Sequence, residues 1–175
     1  MKYDIVDYTT YLKETLALLQ KPGVFLVTAC PEGKANAMTI GWGTIGVIWG
    51  RKIMQVLVRP SRYTYELIEQ SDSFTVCLPS TAMTEAVAYC GKYSGRDGDK
   101  LAACRLKTLR STCVSAPGIS GCPVIYECRI VHKNDIVPAT LAPDITSYAA
   151  GNYHRIYSGE ILAVRARPNA ASLWT

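Results

Sequence analysis

The sequence predicts a mainly β fold, an antiparallel barrel with helices on its periphery. Three observations carry that expectation. At least five segments are apolar and rich in β-branched residues, and Gly, Pro or charged residues bound them. Short loops join most of these segments, as they join consecutive antiparallel strands. The helical segments do not alternate regularly with the strands, so the chain lacks the βαβ rhythm of a parallel sheet.

The first element is a helix from about Asp7 to Gln20, where Tyr8, Tyr11, Leu12, Leu16 and Leu19 recur at helical spacing. Lys21-Pro22-Gly23 ends it, because Pro cannot continue a helix and Gly accepts the turn. Val24 to Cys30 is a strand, and Pro31-Glu32-Gly33-Lys34 a turn. Ala37 to Ile48 reads as one long strand punctuated by Gly, with the next turn at Trp49-Gly50-Arg51-Lys52. Ile53 to Arg59 alternates and leads into Pro60, after which a short helix runs to about Gln70. Ser73 to Leu78 is a strand and Thr81 to Tyr89 a helix. Cys90 to Lys100 is a polar, Gly-rich loop. Val124 to His132 and Ile156 to Arg165 complete the strands, and Asn134 to Ser147, with two prolines and little pattern, is a loop.

The 175 residues suit one domain with a single core. With 49% hydrophobic and 19% charged residues the chain is globular and not disordered. Its formal charge of +5 suits an anionic ligand such as a phosphate. No apolar leader opens the sequence, which carries Asp4, Asp7 and Glu14 instead. The longest apolar stretch, Met38 to Trp49, is broken by Thr and Gly and is too short to span a bilayer. The expectation is a cytoplasmic protein without a membrane partner. The seven cysteines are odd in number and include no Cys-x-x-Cys, which argues against a disulfide framework or a zinc site.

Three segments carry candidate chemistry. Arg59-Pro60-Ser61-Arg62-Tyr63-Thr64 lies where a strand ends and a helix begins. Helix N-termini offer free N–H groups, and Arg59 and Arg62 add forks that match phosphate oxygens. Ser61 and Thr64 serve either as donors to such a group or as helix caps. In Asn36-Ala37-Met38-Thr39-Ile40-Gly41-Trp42-Gly43, the glycines allow close backbone approach of a flat ring. Asn36 and Thr39 offer polar groups there, and Trp42 either flanks the ring or packs in the core. The loop Cys90 to Lys100 has the composition of a binding-site lip. His154 precedes the last strand, and a Cys–His pair with Cys90 or Cys30 has no support from spacing. Gly41 to Gly46 matches a bare G-x-G-x-x-G string inside a strand-like run, so it is no dinucleotide fingerprint.

Taken in order, Asn36 to Trp42, Arg59 to Ile68, Cys90-Gly91, Ser94 to Asp97 with Asp99-Lys100, and His154 to Ile161 resemble the flavin reductase-like, FMN-binding split-barrel family, its flavoredoxin-type members above all. The resemblance runs from about Val24 to Val164. It implies a split β-barrel of antiparallel Greek-key type, a homodimer, and FMN near the interface between the two copies. The strand with Asn36, Ala37, Met38, Thr39 and Trp42 would line the ring. The turn with Arg59, Ser61, Arg62, Tyr63 and Thr64 would hold the phosphate and ribityl chain. Ser94 and Lys100 would close over the cofactor, and His154 would stand where NAD(P)H enters. The implied activity is an NAD(P)H-dependent oxidoreductase with an unidentified electron acceptor. Two alternatives accompany it: a flavoredoxin-type electron carrier that does not react with NAD(P)H, and, ranked below both and not adopted, a nucleic-acid binder using Arg59, Arg62, Arg96 and Lys100 with Tyr63 and Tyr93.

Overall fold

The apolar segments assemble into one antiparallel sheet in a computed structural model that describes residues 2–29 and 33–174. Along the chain lie β1 (Asp4–Ile5), α1 (Leu12–Gln20), β2 (Val24–Ala29), β3 (Ala35–Ile40), β4 (Gly43–Ile48), β5 (Arg51–Val58) and α2 (Tyr63–Glu69). Then come β6 (Ser73–Leu78), α3 (Thr84–Lys92), α4 (Lys100–Ala103), β7 (Thr108–Leu109), β8 (Gly118–Ile119), β9 (Val124–Asp135) and β10 (Arg155–Ala166). The main sheet has the order β3-β2-β6-β9-β10-β5-β4, with β1 added against β10, and β7 pairs with β8 apart from it.

That order explains the barrel. β3 and β4 are the two edges of the sheet, yet only Gly41 and Trp42 separate them in sequence. The sheet must therefore curl until its edges meet at that corner, and they meet without pairing, which leaves the barrel split. The C-terminal end of α1 packs at this corner. A Cβ on Gly41 would stand 3.2 Å from the Leu19 carbonyl, and one on Gly43 2.8 Å from the Gln55 carbonyl and 3.6 Å from the Leu19 side chain.

The strand β2 shows why its sequence is apolar on both faces. Val24 and Leu26 join an interior cluster with Met54, Phe74, Tyr126 and Tyr157. Phe25 and Val27 join a second cluster with Cys77, Val87, Leu101 and Ile125, covered by α3, α4 and β8. A strand buried on both faces reads as a continuous hydrophobic run.

Several expected boundaries shift. The first helix begins at Leu12, because Asp7 forms a local turn in which its carboxylate accepts from the Thr9 N–H (2.9 Å) and hydroxyl (2.6 Å). The expected long strand Ala37 to Ile48 is two strands at opposite edges of the sheet. The turn after it is only Trp49-Gly50, with φ of 54° and 67°, so Arg51 and Lys52 already belong to β5. Two residues with φ > 0 make the hairpin turn whose twist suits the flanking strands. Cys90, Gly91 and Lys92 complete α3 instead of opening the loop, and Asn134 and Asp135 extend β9. Cys30 and the first half of the Pro31–Lys34 turn lie outside the described residues. Among the described residues, no helix is long and apolar enough to cross a membrane.

Candidate functional site

Most of the expected site residues line two neighbouring grooves, one at the first half of β3 and one at its second half. The first, of about 240 Å³, is lined by Met38, Thr39, Trp42, Arg59, Arg62 and His154 among others. The second, of about 360 Å³, is lined by Asn36, Ala37, Tyr63, Arg96 and Lys100 among others. Adjacent residues Arg62 and Tyr63 at the start of α2 face one groove each, so together the grooves form a trough along β3 past that helix start.

The polar groups of the trough are held by specific partners. Asn36 Nδ2 donates to Thr64 Oγ1 at 2.9 Å, both side chains being buried. Thr28, opposite Asn36 on β2, has a buried hydroxyl with no partner among the described residues. Thr39 Oγ1 donates to the Val87 carbonyl at 2.6 Å and ties β3 to α3. Ser61 Oγ accepts from Asn152 Nδ2 at 2.8 Å, and Ser94 Oγ accepts from the Arg96 N–H at 3.2 Å. Ser61, Thr64 and Ser94 therefore support the walls and do not line either groove.

The cations differ in how far they are committed. Arg59 donates to the carbonyls of Asn152 (3.0 Å) and Ser147 (3.1 Å) and lies over the Tyr148 ring. Arg96 pairs with Glu66, donates to the Ser61 carbonyl at 3.3 Å and lies over the Tyr63 ring. Arg62 has no side-chain partner among the described residues. Lys100 is 6% exposed, and among the described residues its ammonium donates only to the Cys90 carbonyl, at 3.3 Å. Burial holds the Lys100 ammonium below the usual lysine range, and the Arg62 charge lowers it further. His154 is pushed down to about 4, first by burial and then by Arg59 and Arg62. Lysines are seldom buried unless paired. Asp97 and Asp99 also line the second groove, yet among the described residues no carboxylate pairs with Lys100 or Arg62, so the trough gathers cations left for an anion.

Aromatic rings flank the first groove. Trp42, 44% exposed, lies with its ring centroid 4.9 Å from that of His154. Tyr148 joins them, with its hydroxyl 2.8 Å from His154 Nδ1. This tyrosine was not singled out in the sequence, because only the return of the segment after β9 brings it to the groove. Cys90 does not pair with His154: its thiol is buried and pushed up to about 12 by desolvation, while His154 Nδ1 is engaged by Tyr148. Among the described residues no cluster of His, Cys, Asp and Glu has the arrangement of a metal site.

A cofactor with a phosphate and a flat ring fits these residues. Lys100 and Arg62 would offer it charge, and the backbone from Met38 to Trp42 with the Trp42 ring would offer it a flat wall. Comparison with known proteins agrees with the geometry. The model of the flavin reductase like domain matches residues 21–174. Among solved structures, a flavoredoxin from Methanosarcina acetivorans is 29% identical, with a TM-score of 0.67 over 84% of this chain and 69% of that one. Flavoredoxin of Desulfovibrio vulgaris is 26% identical, with a TM-score of 0.68 over 85% and 70%. The FMN-binding domain of a flavin reductases-like enzyme from Shewanella baltica shares the fold at 20% identity, with a TM-score of 0.66 over 94% and 77%.

Proposed function

The chain belongs to the flavin reductase-like domain family, and from that premise we propose that it binds FMN in the trough along β3 and acts as an NAD(P)H-dependent oxidoreductase. The observation that carries the reading is the buried Lys100 ammonium, which has no anionic partner among the described residues, beside Arg62, whose side chain has no partner among them either. A phosphate dianion would offset both charges through charge-assisted hydrogen bonds. Asn36, Ala37, Met38, Thr39, Trp42 and Tyr63 would line the remainder of the cofactor. Arg59, Ser61, Thr64 and Ser94 would hold those walls in place through the contacts given above. When bound, FMN supplies the redox chemistry, and the chain supplies binding, orientation and electrostatics. His154, neutral near pH 7, would face the electron donor in the first groove.

A homodimer in a reducing compartment such as the cytoplasm completes the reading. In support, β4 is a sheet edge, and Val47 and Trp49 at its end are 64% and 61% exposed. The six described cysteines are free. A second reading, an electron carrier that takes nothing directly from NAD(P)H, is favoured by the two flavoredoxins among the similar structures.

The deciding experiment is the absorbance spectrum of purified protein loaded with FMN and passed over a gel-filtration column. Flavin bands that travel with the protein are the expected result, and a colourless protein overturns the reading. Bleaching of the bound flavin by NADH or NADPH then separates the reductase from the carrier.

A further inference from the structure

Among the described residues the His154 imidazole has one hydrogen-bond partner, the Tyr148 hydroxyl on Nδ1. Tyr148 is 7% exposed, stacks on Tyr153 with centroids 4.8 Å apart, and lies edge-on to Trp42 at 6.2 Å. Arg59 fixes the segment around it through the carbonyls of Ser147 and Asn152, and Asn152 is tied back to Ser61. The Tyr148 hydroxyl therefore stands in a built position, 2.8 Å from His154 Nδ1. Among the described residues Nδ1 is the one hydrogen-bond partner of this hydroxyl, and a phenol on so buried a ring gives its proton to the acceptor it has, which is Nδ1. A neutral imidazole that accepts at Nδ1 carries its proton on Nε2.

We propose that Tyr148 is a positioning residue that holds His154 as the Nε2–H tautomer, making this nitrogen the groove's donor to a carbonyl oxygen on a planar substrate ring seated against Trp42. The substrate half of this proposal rests on the redox reading above, whereas the tautomer does not. The depressed basicity of His154 supports it, since a neutral ring has a tautomer to be fixed. Such a donor suits a ring bearing a carboxamide or a ring carbonyl, and it leaves the positive charge of the groove to Arg59 and Arg62.

The test compares wild type with Tyr148→Phe, which keeps the ring on Trp42, Tyr153 and Arg59 and removes only the hydroxyl. Long-range 1H–15N spectra at neutral pH report the tautomer of each histidine ring, with His132→Gln assigning the two signals. Expected are a single Nε2–H form of His154 in wild type and a mixture in Tyr148→Phe. Bleaching of bound FMN by the reduced dinucleotide should fall about tenfold in kcat/KM, the worth of roughly one hydrogen bond, with FMN affinity unchanged. An Nδ1–H form in wild type overturns the proposal. So does Tyr148→Phe with an unchanged tautomer, whatever its turnover. If no flavin binds, the redox reading falls and the wild-type tautomer alone decides the role of Tyr148. That spectrum also decides if Tyr148→Phe does not fold.

Discussion

Arg62 and Arg96 occupy similar exposed positions on the trough, yet their guanidinium groups are differently placed. Arg96 is engaged with Glu66, the Ser61 carbonyl and the Tyr63 ring, while Arg62 is free of side-chain partners among the described residues. Arg62→Ala should therefore weaken FMN binding by ~1.5–3 kcal/mol, roughly 10- to 100-fold in Kd. Arg96→Ala removes a surface ion pair and should cost less than ~1 kcal/mol of binding. Fluorescence titration measures both, and equal losses would displace the phosphate from Arg62. The arginines were legible as residue types, but their commitments were not, because the partners come from segments far apart in sequence. His154 gives a second residue-scale prediction. Its folded pKa, about 4, lies below the unfolded value of about 6.5. The unfolded chain then binds more protons between those values, so stability is full above about pH 6.5 and falls as pH drops towards 4. His154→Gln should flatten that slope in urea titrations run over its upper part, from about pH 6.5 down to about 5, before carboxylate protonation contributes. An unchanged slope would assign the pH dependence elsewhere.

At the scale of elements, β10 shows how one small residue sets a strand's register. Gly159 lies at a break in the pairing of β10 with β9. A Cβ there would meet Phe74 Cζ at 2.5 Å and Cys128 Cβ at 2.8 Å, and both residues are fully buried. Interior side chains packed this closely cannot yield cheaply. Gly159→Ala should cost ~1–3 kcal/mol by overpacking, read as a lower urea midpoint at unchanged m-value. A midpoint equal to wild type would mean that Phe74 has room to move. The same strand was legible in the sequence, as were β2, β5, β6 and β9, because β-branched runs bounded by Gly and Pro carry their own signal. The break between β3 and β4 was not. Gly41-Trp42-Gly43 sits in an apolar run without a recognisable turn pair, and the cause of the break is the curl of the whole sheet. The two-residue strands β1, β7 and β8 were also missed, being too short for any periodicity.

For the whole molecule, the opening between β3 and β4 must be closed by something other than a strand, and α1 does this. Leu19 packs at the Gly41–Gly43 corner, and Thr15 bonds to the buried Tyr126 hydroxyl at 2.8 Å. Trp174, far away in sequence, secures the other end of this helix. Its indole lies edge-on to Tyr11 with centroids 5.7 Å apart, and its Nε1 donates to the Pro79 carbonyl at 2.7 Å. One side chain thus joins the segment after β10, the start of α1 and the end of β6. A half-buried Trp in such a place resembles a core residue in its energetics, so Trp174→Ala should cost roughly 2–4 kcal/mol. That corresponds to a fall in Tm of about 4–16 °C for a chain of this size. Trp174→Phe keeps the ring contact and loses the indole donor, and should cost about 1 kcal/mol. If α1 is integral to the barrel, both variants unfold in one transition seen alike by far-UV circular dichroism and by tyrosine fluorescence. Their groove should also loosen, since α1 ends against the corner that carries Trp42, so FMN affinity falls together with Tm. A biphasic transition, with FMN affinity retained after the first phase, would show instead that the helix merely leans on a barrel able to stand without it.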